Sequence, residues 1–454
     1  MSKYHQIIEF IEKEIESGKI LPGKKLPSIR DICKIFNCSK STAVRAYSEL
    51  EKNHIAYSIP QSGYYLAERR QYTENKNGLK IADLSSASPD ITLLPYEEFQ
   101  HCLNQAIDVY KEILFSYTEP QGLKPLIDIL EKHLQDHQVF ANPEMIFVTS
   151  GSQQALDILT KMPFPNGKDN IVVEQPTYQG ILMAAEINKI KVIGVARDFK
   201  SINFDHLERI FKNGNVKFFY TISRFSNPLG LSYTKEEKKH ILALAEKYDV
   251  YIVEDDYLCD METDPKADPI FAYDTSSRVI YIESYSKTLL PGLRLAVAVL
   301  PKLLINTFKE YKKWADLNTS VLSQGALEIY IKSGMFNSHI KKIKKLYSDR
   351  MKFLKKLVDD INSDAVKWHI PHCGLFAGIE ILNGAKAQNI AESLRRKNIM
   401  ISNPNQFYLK EFQDSRFLRI SIARSDEKTL RTVIPEIIKE ISGATKEIRN
   451  IMEL

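Results

Sequence analysis

Cysteine is scarce in this sequence, and the five present, Cys33, Cys38, Cys102, Cys259 and Cys373, are scattered and odd in number. None are paired at the spacing of metal ligands, so free thiols, buried or half-buried, are expected, with no disulfide framework and no metal site. Long apolar runs are also missing. None approaches the roughly 18 residues a membrane helix needs, and Met1-Ser-Lys-Tyr-His lacks the apolar core of a signal peptide. Nothing directs the chain to or through a membrane, and the cytoplasm is its expected location. No internal repeat or low-complexity tract interrupts residues 81–332 either. Net charge is small, +5 over 454 residues, but it is unevenly spread. Residues 1–70 hold twelve Lys and Arg against eight Asp and Glu, a surplus of four that leaves one for the remainder. A phosphate-binding surface would draw on such a surplus. With 44% hydrophobic and 26% charged residues the composition is that of a globular chain, too long for one ordinary domain.

Residues 1–67 read as three helices and a hairpin. Ile7, Ile8, Ile11 and Ile15 share one face of a first helix that ends at Ser17-Gly18, and the prolines of Ile20-Leu-Pro-Gly-Lys-Lys-Leu-Pro27 prevent its continuation. Ser28 with Asp31 forms a capping-box start for a second helix through Phe36. Ser39 can cap a third, whose apolar positions Ala43, Tyr47 and Leu50 keep helical spacing. Two short helices separated by Asn37-Cys38 suit a helix-turn-helix, in which Ser39, Lys40, Ser41 and Thr42 would meet base edges. His54 to Leu66 supplies a hairpin wing turning at Gln61-Ser-Gly63. Leu26-Pro-Ser-x-Arg30, Ser39-Lys-Ser-Thr, Ala46-Tyr-x-x-Leu50 and the Ser-Gly-Tyr wing resemble the GntR family of winged helix-turn-helix regulators. That resemblance implies operator DNA as a partner. It makes Arg30, Lys40, Ser41 and Thr42 the expected contacts, with Ser39 at the helix start and Arg45 and the wing at Gly63 as further candidates. Gln61 stands where the family's wing has a first glycine.

Residues 68–80 are polar and aperiodic and read as a linker. From 81 to 332, apolar strands alternate with amphipathic helices, the pattern of an α/β domain with a largely parallel sheet. Several strands run into residues suited to one ligand. They lead into Ser150-Gly-Ser-Gln, into Glu174-Gln-Pro-Thr-Tyr178, toward Asn227-Pro-Leu-Gly230, into Glu254-Asp-Asp-Tyr257, and into Ser284-Tyr-Ser-Lys287. Ligands in open α/β sheets bind beyond the carboxyl ends of strands, so these loops can converge on one pocket. A free helix start at Gly151-Ser152-Gln153, the hydroxyls of Ser284 and Ser286, and Arg294 describe a phosphate site. Lys287 beside it can form a Schiff base if its amine is kept neutral. Asp255 can hold a pyridine nitrogen protonated, Tyr257 and Asn227 can meet a ring hydroxyl, and Tyr178 can lie over the ring. Together these residues read as a pyridoxal 5′-phosphate site.

Residues 81–450 resemble the fold-type I, class I aminotransferases, and the whole chain resembles the MocR subfamily of GntR regulators. The resemblance implies a large α/β domain over 81–332 and a small C-terminal α+β domain over 333–454. It makes Lys287 the Schiff-base lysine, Asp255 the partner of the pyridine nitrogen, Tyr257 and Asn227 the ligands of its hydroxyl, and Tyr178 the stacking ring. Ser284 and Arg294 become phosphate ligands, with donors added by Gly151, Ser152 and Gln153. Tyr117, in Tyr-Thr-Glu-Pro-Gln-Gly122, resembles the tyrosine that reaches the phosphate from a partner subunit, which implies a homodimer. Arg419, in Phe417-Leu-Arg-Ile-Ser-Ile422, falls where the family binds the α-carboxylate of an amino acid. The chain departs from the family at Leu93-Leu-Pro95 and Phe99, at Cys373-Gly374 and at Ser223-Arg-Phe-Ser-Asn227. The Lys-rich stretch His339–Tyr347 is expected to be a solvated helix face flanking an Ile340, Ile343, Leu346 seam. The expected function is a regulator that senses a small amine, amino acid or the cofactor itself. A working aminotransferase with an auxiliary DNA-binding head, and a sensor of cofactor level controlling vitamin B6 supply, are the alternatives.

Overall fold

The computed structural model describes residues 3–21, 23–52, 55–59, 62–66, 81–361, 363–413 and 416–452. The chain divides into two compact units, Met1–Leu79 and Lys80–Leu454. The linker expected over 68–80 and the wing-turn residue Gln61 lie outside the described residues.

In the first unit, helices α1 (Lys3–Glu16), α2 (Ile29–Phe36) and α3 (Lys40–Lys52) precede an antiparallel hairpin of β1 (Ala56–Ile59) and β2 (Gly63–Leu66). Ile7, Ile11, Ile32, Ala43, Ala46, Tyr47 and Leu50 are fully buried, so the helical spacing read from the sequence is the spacing of the core. Ser28 Oγ accepts from the Asp31 N–H at 3.2 Å and Asp31 Oδ2 accepts from the Ser28 N–H at 3.3 Å, which closes the capping box. Asn37, at φ 42°, ends α2 in the left-handed region and turns the chain toward α3. The segment before α2 adds a third edge to the wing, with Leu26 N–H donating to Tyr64 O at 2.8 Å and Leu66 N–H to Lys24 O at 2.9 Å.

The second unit opens with the short strand β3 (Ala82–Asp83). Its large sheet comprises β4 (Ile146–Thr149), β5 (Asn170–Gln175), β6 (Val192–Ala196), β7 (Val216–Thr221), β8 (Tyr251–Asp255), β9 (Val279–Ser284) and β10 (Ala296–Val299), in spatial order β4-β10-β9-β8-β7-β5-β6. Strands β9, β8, β7, β5 and β6 are parallel, while β10 runs antiparallel to both its neighbours. The sheet is therefore mixed. Strand β6 and the reversed β10 run into Arg197-Asp198 and into Leu300-Pro301, not into residues suited to a ligand. Successive strand residues point to opposite faces. Ile171, Val173, Phe218, Tyr220 and Val253 accordingly join one apolar cluster, whereas Val172, Phe219, Ile252 and Val279 join another. Both faces are covered, which explains why these strands are apolar throughout rather than alternating.

Strands β11 (Val366–His369), β12 (Phe376–Ile381) and β14 (Phe417–Ser421) form a second, antiparallel sheet, and β13 (Ile399–Met400) pairs in parallel with β3. The Lys-rich stretch lies within the helix Met335–Ile361, with Ile340 and Ile343 buried and Lys341, Lys342 and Lys345 exposed. All five cysteines are free. Among the described residues no helix is long and apolar enough to cross a membrane.

Candidate cofactor pocket and DNA-reading face

The register of the large sheet gathers the site. Ala296 of β10 pairs with both Thr149 and Ser284, so the ends of β4 and β9 and the turn carrying Arg294 meet at one edge. Asp255 is the last residue of β8, opposite Ile282. Gly151 leads from β4 into the helix Ser152–Lys161 at φ 83°, and a Cβ there would stand 2.5 Å from Arg294 Nη2, so only glycine admits the guanidinium. Arg294 Nη2 lies 3.4 Å from the Ser150 carbonyl. Ser284 Oγ accepts from the Ser286 N–H at 3.3 Å, which leaves its own proton for a ligand. The Gly151 N–H turns back onto Thr149 O at 2.7 Å, so this residue gives the pocket room rather than the donor expected of it. The orphan donors of the helix start fall instead on Ser152 and Gln153. Gln153 does not aim its side chain at a ligand either. Its Nε2 donates to Gly180 O at 3.0 Å and its Oε1 accepts from Tyr178 Oη at 3.4 Å, which holds the Tyr178 ring in place.

Asp255 is 3% exposed. Its Oδ2 accepts from the Tyr220 hydroxyl at 2.8 Å, and its buried Oδ1 has no partner. Burial pushes this carboxyl up to about 7, with the Tyr220 hydrogen bond acting in the opposite direction. Lys287 is held below the usual lysine range, first by burial and then by the nearby Arg419, while Asp255 pulls the other way. A buried acceptor in need of a donor and an amine biased toward its neutral form are what a protonated pyridine ring and a Schiff base require. The residues present therefore fit pyridoxal 5′-phosphate. The Tyr257 hydroxyl donates to Phe225 O at 2.8 Å, so its proton is committed and it meets a ring oxygen only by turning.

Arg419 sits on β14, opposite Gly378, and is 5% exposed. Its Nη1 donates to Asn227 Oδ1 at 2.8 Å, and its Nη2 donates to Ser402 Oγ at 2.5 Å and to the Ser85 carbonyl. Phe376 and Phe407 flank the guanidinium at 4.2 and 4.9 Å. Among the described residues no carboxylate lies within ion-pair distance of it, and its Nε is unpartnered. Burial lowers it to about 10. Tyr117 is 86% exposed.

Sequence reasoning missed several groups here. Tyr220 is a polar ring near the end of an apolar strand, and that contrast is a signal. Ser85 and Ser402 carried none, because each is an ordinary loop serine that tertiary folding alone brings to Arg419. Glu174 and Glu254, quoted above as leading toward the ligand, prove to be structural. Arg197 pairs with Glu174 at 2.7 Å, and the Ile270 and Phe271 N–H groups donate to Glu254 at 2.8 and 2.9 Å.

In the first unit Arg30, Ser39, Lys40, Ser41 and Arg45 are exposed and Thr42 is half-buried. The hydroxyls of Ser39, Ser41 and Thr42 bond one another at 2.8 and 2.9 Å, and the Thr42 N–H donates to Ser39 Oγ at 3.3 Å, so Ser39 serves as the cap of α3. The Arg45 guanidinium lies 4.5 Å from the Tyr4 ring. Gly63 has φ 117°, with Lys25 packed against the wing beside it.

Residues 93–437 match the family described as aminotransferase class I and II, and residues 3–66 match bacterial regulatory proteins, gntR family. The chain is 41% identical over 427 residues to the uncharacterized HTH-type transcriptional regulator YcxD of Bacillus subtilis, covering 93% of this chain and 96% of YcxD. It is 27% identical to aromatic-amino-acid aminotransferase 1 of Thermococcus litoralis over 86% of this chain and 95% of that one. Among solved structures, a complex of the kynurenine aminotransferase of Pyrococcus horikoshii with PMP aligns at a TM-score of 0.74 and 27% identity. The alignment covers 81% of this chain and 92% of that one.

Proposed function

Starting from a chain that belongs to the aminotransferase class I and II family and, through its gntR-family head, to the MocR-type transcriptional regulators, we propose that it senses a small amine or amino acid at Lys287 and answers by changing its hold on operator DNA. The observation that carries this reading is Arg419. A buried guanidinium is costly without an anion, and this one has only neutral partners, while it contributes to the electrostatic environment of Lys287. An amino-acid carboxylate would complete it through two hydrogen bonds and bring the amine to the reacting lysine.

When bound, pyridoxal 5′-phosphate supplies an aldehyde for a primary amine and a ring that accepts electrons. The chain's own residues do the rest. Asp255 Oδ1 holds the ring proton, Ser284, Arg294 and the helix start at Ser152 hold the phosphate, and Tyr178 fixes the plane of the ring. Asn227, its oxygen taken by Arg419, presents its NH2 to the ring oxygen. Arg30, Lys40 and Ser41 are the proposed operator contacts. A homodimer is part of the reading, because residues 91–117 expose Ile91, Tyr96, Val109, Ile113, Phe115 and Tyr117, large side chains that a second copy would cover. Ligand binding changes DNA affinity only if it favours one arrangement of the protein over another.

A working aminotransferase is the second reading, favoured by Arg419 and Asp255 both lying near enough to act on the charge of Lys287. Visible absorbance of the loaded protein during addition of amino acids and amines, with and without a 2-oxo acid, separates the two. A stable shift without turnover supports the sensor, and bleaching that the 2-oxo acid reverses in cycles means an aminotransferase. No response to any amine would leave the cofactor itself as the signal.

A further inference from the structure

A cluster that this chemistry does not use sits where the end of the helix Lys124–Asp136 meets β9 and the turn after β8. His133 and His137 are four residues apart and so share one side of the helix end. Ligand atoms of His133, His137 and Asp260 all lie within 4.8 Å of one another. His137 Nε2 is 3.3 Å from Asp260 Oδ1, close to the roughly 3.3 Å separating two ligands at about 2.0 Å from a tetrahedral ion. Asp260 is 4% exposed and Glu283 is 1% exposed, yet Asp260 Oδ2, Glu283 Oε2 and His137 Nε2 close no hydrogen bond. The Tyr285 hydroxyl lies beside Glu283 and the Thr288 hydroxyl beside Asp260. Glu283 Oε1 is 3.0 Å from His133 Nε2, the carboxylate partner that orients a ligating imidazole. A cavity of about 420 Å³ opens onto the cluster, and Asp136, Glu262, Asp264 and Asp268 line it against Arg224 and Lys344.

We propose that His133, His137 and Asp260 bind a divalent transition-metal ion of the zinc class, with an open fourth position facing the cavity. Two imidazoles with one carboxylate select such an ion over calcium or magnesium, which prefer all-oxygen sites. Two imidazoles drawn together around a buried carboxylate are an arrangement that a cation would complete. Ser284 and Glu283 are strand neighbours with side chains on opposite faces, so the ion would be held on the far side of β9 from the phosphate cradle. An occupied site would clamp the helix end to the strand and the turn that carry Ser284 and Tyr257.

The test uses untagged full-length protein, stripped with a chelator and titrated with cobalt(II), then with zinc. One cobalt per chain with ligand-field bands of low-symmetry coordination, displaced by zinc, is expected. His137→Ala and Asp260→Asn should each lose stoichiometric binding while the cofactor absorbance stays unchanged. His137 is half-buried and stands just past the end of its helix, so its removal should spare the fold. Absence of saturable binding in the parent protein, or binding undiminished in both variants, would overturn the proposal.

Discussion

In the first unit the cations stand outside, with Arg30, Lys40 and Arg45 exposed around a wholly apolar core. In the second unit Arg197, Arg224, Arg350 and Arg419 are each 7% exposed or less. Three of these four are neutralised at once, Arg197 by Glu174, Arg224 by Asp256 and Arg350 by Asp90. Arg419 is not. An exposed cation is well solvated and acts on a polyanion collectively, through counterion release, so its role can be inferred from composition and helix position. A buried cation has a role only in relation to its partners. The contrast teaches where to look in each half: at surplus charge on the surface of one, and at missing charge in the interior of the other.

The largest expected effect breaks the second half of that comparison. Lys287→Ala should abolish the amine-dependent absorbance change, a loss of several orders of magnitude, and uncouple DNA binding from the ligand without removing DNA binding itself. A preserved ligand response of operator binding in that variant would sink the Schiff-base reading.

Asp255 gives the next. Its folded pKa of about 7 lies above the ordinary value near 3.9, so the folded state holds a proton that the unfolded state has released. Its contribution to stability is full below about pH 4 and is lost as pH rises through about 7. Cofactor-free protein should therefore lose stability across that window, and Asp255→Asn should flatten the loss by up to about 4 kcal/mol, read by urea unfolding at several pH values. The same variant should retain the cofactor less well, because the pyridine proton loses its anion. A steep pH dependence that persists in Asp255→Asn would assign the proton elsewhere.

Arg30→Ala with Lys40→Ala tests the surface half. Each lost phosphate contact should lower the slope of log affinity against log salt by about 1, and each lost base contact should cost about 1–3 kcal/mol. The cofactor spectrum should not change, and loss of the chromophore would mean that the two units are wrongly assigned. The smallest effect is Ser28→Ala, which opens the capping box and should cost the first unit about 1 kcal/mol, seen as an earlier transition in calorimetry with the second unit's transition unmoved.

The first unit was legible nearly residue by residue, because caps at Ser28 and Ser39 and the spacing of Ala43, Tyr47 and Leu50 are local properties. In the second unit the strands β4, β5, β7, β8 and β9 were legible too, since a short apolar run followed by polar residues marks the end of a buried strand. The antiparallel β10 was not, because strand direction is a property of pairing, and no single strand encodes its partner.

The sequence by itself determined that the chain folds as two units, one with a surplus of positive charge and one with a strand-end lysine, carboxylate and arginine in aminotransferase order. Only the tertiary structure decided which charges are answered. It gave Arg197 and Arg224 their acids, left Arg419 without an acid and Asp255 Oδ1 without a donor, brought His137 to Asp260, and committed the Gly151 N–H and the Tyr257 proton elsewhere. The physical reason is that capping and periodicity act over a few residues of chain. Desolvation and charge pairing, in contrast, depend on what long-range packing places within a few ångströms.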